Sequence, residues 1–207
     1  MALNVRPRLT RTWGGAAVAT VLCLATASAA QAACPTSPTQ QPFAQFGDDL
    51  EYELAPQGSF ETGSAGWDLD GARVTPENEG YFVGAATDSG SLSLSAQGVA
   101  LSPPLCVDAR YPMWRLFARK LDGAKGQLKV EMLYTDSSGK PKLATAGKLS
   151  NGHGEYAAWR PTPALKLARG LPLSKSPTGT MSIRLRFTAD EAGDWALDDI
   201  YLDPYRS

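Results

Sequence analysis

Histidine is almost absent from this sequence and cysteine is scarce: the 207 residues contain one His and three Cys. His153 lies in the glycine-rich stretch Asn151-Gly152-His153-Gly154 and reads as a solvent-exposed loop residue. There is no Gly-x-Ser-x-Gly elbow, no His-Glu-x-x-His and no phosphate-cradling glycine loop, so the common hydrolase, metalloprotease and nucleotide-binding signatures are missing. Paired carboxylates for glycoside hydrolysis leave no sequence signature, and Asp68, Asp70, Glu77 and Glu79 are the first to consider for that role. Positive charge is not in excess either. Lys and Arg number 20 against 21 Asp and Glu, a poor match for nucleic acid or an anionic membrane. No segment has a sustained helical period, no internal repeat is visible, and Pro161, Pro163, Pro172 and Pro177 interrupt the stretch most easily mistaken for a helix.

The one extended apolar run lies near the start. Arg6, Arg8 and Arg11 precede an apolar stretch from Ala16 to Ala29, and Ala30-Gln31-Ala32 supplies small residues where a signal peptidase inspects them. Basic, apolar and small-residue regions in that order describe a secretory signal peptide over 1–32. The apolar part is shorter than the ~20 residues that span a bilayer, which disfavours the alternative of an uncleaved anchor. Cleavage after Ala32 would leave 175 residues, a length suited to one domain, and would shift the formal charge from −1 to −4. The expected location is extracellular, with no membrane contact after cleavage. Cys23 would leave with the leader, so Cys34 and Cys106 remain. An even count in an exported chain argues for a disulfide closing about seventy residues, worth roughly 4 kcal/mol by chain entropy. The other use of Cys34 is as a lipidated N-terminal cysteine; Gln31-Ala32-Ala33 lacks the leucine expected before one, and lipidation would leave Cys106 unpaired.

Residues 33–48 form a proline- and polar-rich lead-in that reads as linker more than element, with the domain proper over 49–207. Beyond the lead-in, short apolar runs are broken by glycine, proline and Asp/Ser clusters. Ser91–Leu94, Leu128–Met132 and Met181–Phe187 alternate with period two, and Asp136-Ser137-Ser138-Gly139 reads as a turn. Such runs describe antiparallel strands with one dry face and one wet one. About nine or ten of them between Tyr52 and Leu202, without helices, imply an all-β antiparallel sandwich or jelly roll.

Two motifs carry a family resemblance. The domain opens with Gly58-Ser59-Phe60-Glu61-Thr62-Gly63 and Gly66-Trp67, and closes with Trp195-Ala196-Leu197-Asp198-Asp199-Ile200-Tyr201-Leu202. This start and finish resemble the galactose-binding-like jelly rolls that include many carbohydrate-binding modules, and the whole pattern is similar to small secreted proteins of actinobacteria. The resemblance covers roughly residues 50–204 and implies a structural calcium ion tying the first and last strands. Its ligands would be Glu61 and either Asp198 or Asp199, since strand neighbours point to opposite faces. The alternative is that Glu61 caps a turn and the aspartates meet solvent or an arginine.

The same resemblance implies glycan binding through aromatic stacking. Trp67 and Trp195 belong to the fold motifs and are expected in the core, whereas Tyr81, Phe82, Tyr156 and Trp159 follow polar or glycine-rich loops and are the candidate surface rings. A second candidate surface comes from strand parity. Arg115, Phe117 and Arg119 share one face of their strand, opposite Trp114, Leu116 and Ala118, while Arg184 and Arg186 alternate with apolar neighbours, as do Lys129 and Glu131. Were these strands adjacent, they would form a basic face suited to carboxylate-bearing glycans; otherwise they carry ordinary cross-strand ion pairs. The functional expectation is a secreted, non-catalytic module binding a polysaccharide. The rival readings are a structural or protein-interaction domain of the cell envelope and a small glycan-acting hydrolase.

Overall fold

The computed structural model describes residues 34, 37–108, 113–122, 125–167, 171 and 179–203. The expected leader over 1–32, with Cys23, lies outside these residues, as do Pro172 and Pro177. The described chain holds twelve strands: β1 (Thr39–Gln40), β2 (Tyr52–Leu54), β3 (Asp68–Thr75), β4 (Ser91–Leu101), β5 (Leu105–Asp108), β6 (Met113–Lys120), β7 (Gln127–Thr135), β8 (Pro141–Ser150), β9 (Arg160–Pro161), β10 (Leu165–Lys166), β11 (Thr180–Ala189) and β12 (Trp195–Asp203). Every pairing is antiparallel. Three strands are two-residue bridges, and the remaining nine match the expected number. One 3-10 turn, Ala44–Phe46, stands among them and no α-helix does.

Sequence alternation explains the second layer most directly. In β11, Ile183, Leu185 and Phe187 are buried while Arg184 and Arg186 lie on the outer face. Its register with β7 sets Leu185 opposite Met132, Phe187 opposite Val130 and Ala189 opposite Leu128, so apolar side chains meet across the ladder. β8 extends this layer beyond β7, and β5 with the second half of β4 covers the other edge of β11. The first layer is centred on β12, flanked by β6 on one side and by β2 and the first half of β4 on the other. The two layers face each other across one core: Trp114 of β6 meets Phe187 of β11 with ring centroids 5.9 Å apart, and Trp67 meets Phe187 at 6.0 Å. Trp67 and Trp195 are both buried there, as the motifs imply.

The layers share a continuous ladder because the β3–β4 hairpin bends from one to the other. Residues 92–94 pair with β12, and residues 99–101 pair with β11. The crossing needs close backbone approach. Gly71 has φ +61°, and a Cβ at Gly98 would stand 2.5 Å from the Gly71 carbonyl oxygen.

Two expectations are corrected by this packing. Ser91–Leu94 has no wet face, because all four residues are buried; this half of β4 is covered on both sides. The lead-in is not a linker. Residues 39–40 pair with β2, Phe43 is fully buried, and its ring lies 5.4 Å from Phe117, 4.9 Å from Tyr52 and 5.6 Å from Tyr201. The Arg115 guanidinium covers the same ring at 4.0 Å and pairs with the Asp48 carboxylate, which also accepts from the Tyr52 hydroxyl at 2.6 Å. Two phenylalanines in a polar segment thus suffice to dock it as a second, smaller core. Cys34 is disulfide-bonded to Cys106 of β5, anchoring the start of this segment to the other layer. Replacement Phe43→Ala should cost about 3–5 kcal/mol in urea unfolding, as for a core ring, whereas a solvated linker residue would change stability by no more than about 0.5 kcal/mol.

Candidate functional site

Strand parity in β6 builds the floor of the site. Trp114, Leu116 and Ala118 enter the main core, which turns Arg115, Phe117 and Arg119 toward the outer side of the first layer. Three segments lie over that side: the 3-10 turn with Phe46, the β3–β4 connection with Tyr81, and the stretch 154–163 with Trp159. Between them is a groove of about 760 Å³ whose apolar wall includes Phe46, Tyr81, Leu149, Tyr156, Trp159 and Pro161, with Lys148, Glu155 and Arg160 at its margins. Phe46 and Tyr81 meet edge to face at 4.9 Å, and the Tyr81 hydroxyl donates to the Trp159 carbonyl at 3.0 Å. Arg119 stacks over the Trp159 ring at 5.5 Å and pairs with Glu77 at 2.5 Å. The Trp159 Nε1 and Arg119 Nε donors are buried without an acceptor among the described protein groups.

Three of the four expected surface rings therefore share one groove. Tyr81 is exposed and Trp159 half-buried, but Tyr156 is buried against Trp195 at 5.5 Å and contributes floor more than surface. Phe82 is 48% exposed and lies just outside the lining. Phe46 went unnoticed because it sits in the segment read as linker; the Phe43–Phe46 spacing is the signal that could have placed it. His153 is exposed, as expected.

The basic face does not form. β6 belongs to the first layer, and β7 and β11 to the second, so Arg115, Phe117 and Arg119 lie far from Arg184 and Arg186 in the topology. Arg186 and Lys129 both pair with Glu131, at 2.5 and 2.6 Å, and Arg184 pairs with Asp68 at 2.7 Å. The two arginine pairs join different strands and the Lys129–Glu131 pair lies within β7, all on an ordinary outer face. The hydrolase candidates are dispersed likewise: Asp68 and Glu77 are ion-paired, Asp70 is exposed in β3, and Glu79 is buried with its carboxylate accepting backbone N–H groups of Tyr81 and Val83.

A buried acidic cluster, called the acidic pocket below, is tied through Glu79 to the turn that bears Tyr81. The β12–β6 register slips by one residue between Asp198 and Tyr201, and Asp199 takes a left-handed φ of 48°. The rule that neighbouring strand residues face opposite sides fails at this bulge, and Asp198 and Asp199 are both buried. Asp198 accepts from the Glu79 and Asp199 backbone N–H groups, whereas Asp199 Oδ2 has no partner. Burial, then the Asp199 charge, pushes the Asp198 carboxyl up to about 10. Burial, then the charges of Glu79, Asp88 and Glu61, pushes Asp199 up to about 7. Glu61 accepts from the Ser89 and Gly90 N–H groups at 2.9 and 2.7 Å, so it does cap the end of the β3–β4 connection. Among the described residues, no three His, Cys, Asp or Glu side chains converge as a metal-binding group, and no helix is long and apolar enough to cross a membrane.

No protein-family model matches the sequence, and no curated protein does. Solved structures do align with it. The CBM22-1 and GH10 modules of an endo-1,4-β-D-xylanase from Clostridium thermocellum, solved with xylohexaose, align at a TM-score of 0.48 and 16% identity, over 75% of this chain and 29% of that one. The chain thus spans less than a third of that protein. A CBM61 module solved with β-1,4-galactotriose aligns at 0.41 and 19% identity, over 73% of this chain and 97% of that one. The CBM22-1 xylan-binding domain of a Paenibacillus barcinonensis protein aligns at 0.47 and 17% identity, over 72% and 93%.

The acidic pocket has a pH signature. An unfolded aspartate titrates near 3.9, so a folded value raised to about 7 means that Asp199 favours the fold only while protonated. Its contribution is intact below about pH 4 and is lost as pH rises toward 7. In chelator-containing buffer the melting temperature should therefore decline across that window, with Asp198 contributing in the same direction, and Asp199→Asn should make the decline shallower; an unchanged slope in the variant would contradict the assignment.

Proposed function

We propose that this protein is a secreted, non-catalytic β-sandwich module that binds a carbohydrate in the groove over the first layer. The observation that carries the reading is the convergence of Phe46, Tyr81 and Trp159 on one open groove with charged margins. Sugar rings present apolar C–H faces that aromatic rings can cover, and hydroxyls at the edge that polar groups must satisfy; a groove of this size, mostly apolar with a few polar groups, suits such a ligand. The leader-like N-terminus and the Cys34–Cys106 bridge support an oxidising, extracellular setting.

Calcium is proposed as the ion of the acidic pocket. Asp199 Oδ2 is a buried carboxylate oxygen without a partner, and Glu61 retains lone pairs on both oxygens after accepting one N–H on each. Two carboxylates joined by backbone carbonyls form a suitable hard-oxygen set without a third acidic side chain. Asp198, which like Glu61 accepts one N–H on each oxygen, is the alternative ligand to Asp199.

A glycan array and pull-down on insoluble xylan and galactan, with calcium present, test the carbohydrate reading. Wild type should be retained, and Trp159→Ala should bind about tenfold more weakly, the loss of roughly one anchoring contact. No retention on any glycan, or capture of a single envelope protein instead, would replace this reading with an interaction domain. Thermal melts test the ion separately. Calcium at about 100 times its Kd should add about 2.7 kcal/mol, and Asp199→Ala should abolish that gain; identical melts with calcium and chelator would remove calcium from the account.

A further inference from the structure

Phe82 combines two costs that the fold alone does not repay. Its backbone sits at φ 54°, in the left-handed region that suits glycine, and its ring is 48% exposed. Among the described residues the ring joins no aromatic pair, unlike its neighbour Tyr81, which packs on Phe46 and Phe117. Gly80, two residues earlier, is also left-handed at φ +74°, as its residue type allows. Nothing comparable excuses a phenylalanine at 82.

The conformation is imposed from below. Glu79 is 1% exposed, and its carboxylate accepts the Val83 N–H at 2.9 Å and the Tyr81 N–H, gathering the backbone on both sides of Phe82. The Glu79 N–H in turn donates to Asp198 Oδ2 at 3.2 Å, on the bulge of β12. A buried carboxylate spent on backbone donors holds this turn to the centre of the first layer, so the exposed ring is held by the fold and not left to a free loop.

We infer that Phe82 is a ligand-contacting ring that extends the Tyr81 side of the groove, and that Glu79 is the positioning residue presenting it. This rests on the carbohydrate reading and adds a platform for a further sugar residue of the same chain, outside the groove lining. A ring pre-set in its bound position saves the entropy of ordering it on binding, which is what the backbone strain at Phe82 would secure.

Phe82→Gly separates this role from a structural one. Removing an exposed ring and placing glycine at a left-handed position should leave the melting temperature unchanged or raise it. At the same time, affinity for soluble xylan in affinity electrophoresis, and for the glycans retained on the array, should fall about tenfold. Glu79→Gln should speed hydrogen exchange at the Tyr81–Val83 amides, and should weaken binding more in wild type than in the Phe82→Gly background, the coupling expected if Glu79 acts through Phe82. Wild-type affinity in Phe82→Gly overturns the inference and leaves the carbohydrate reading standing. Failure of the wild-type protein to bind any glycan overturns both.

Discussion

Every residue of β12 from Trp195 to Asp203 is buried, and a strand shielded on both faces needs two sets of cover. The inner set is the facing layer, through Trp195, Leu197, Ile200 and Leu202. The outer set comes from chain that is mostly not sheet: the lead-in with Phe43, the β3–β4 connection with Glu79, and the stretch around Trp159. Beyond the short ladders of β1 with β2 and β9 with β6, these pieces are held by ring contacts, by the Asp48–Arg115 pair and by side-chain bonds to backbone. Pieces assembled in this way do not tile a surface completely, and the groove is the space they leave.

The bulge in β12 links this cover to the acidic pocket. One extra residue between Asp198 and Tyr201 changes the parity of the strand, so that Ile200 returns to the core and Tyr201 joins the outer cluster. It also brings two adjacent carboxylates into the protein. Asp198 then anchors Glu79, and Glu79 anchors the turn bearing Tyr81 and Phe82. Burying carboxylates near one another is costly, and the upward shift at Asp199 expresses that cost. The groove wall and the acidic pocket are thus two ends of one connection, fastened to the same irregularity in the sheet.

What could be read along the chain was what depends on near neighbours. Ile183, Leu185 and Phe187 alternate with arginines and form the strand that this pattern implies, and Asp136 to Gly139 form the expected turn, with Asp136 accepting from Ser138 and Lys140. The lead-in was misread because its prolines and glutamines outweigh Phe43 and Phe46 in any compositional view, although two buried rings decide where it goes. Ser91 and Ser93 look like a wet face, and they are dry because residues far along the chain cover them. The imagined basic face failed for a related reason: parity gives the side of a strand on which a residue stands, but not which strands lie beside it.

The sequence by itself indicated that the domain is all-β and antiparallel, placed Trp67 and Trp195 in the core, and offered a Cys34–Cys106 bridge against lipidation of Cys34, which the structure resolves in favour of the bridge. Each follows from period-two alternation, from motif position or from a count. Only the tertiary structure decided that Phe46, Tyr81 and Trp159 meet, that Tyr156 is floor and Phe82 rim, and that Asp198 and Asp199 turn inward together. Those placements depend on a β-bulge, on a hairpin that changes layers and on contacts between residues as much as 119 positions apart. Local pattern carries no record of such long-range closure, because the free energy that selects it comes from burying surfaces that do not exist until the chain has folded.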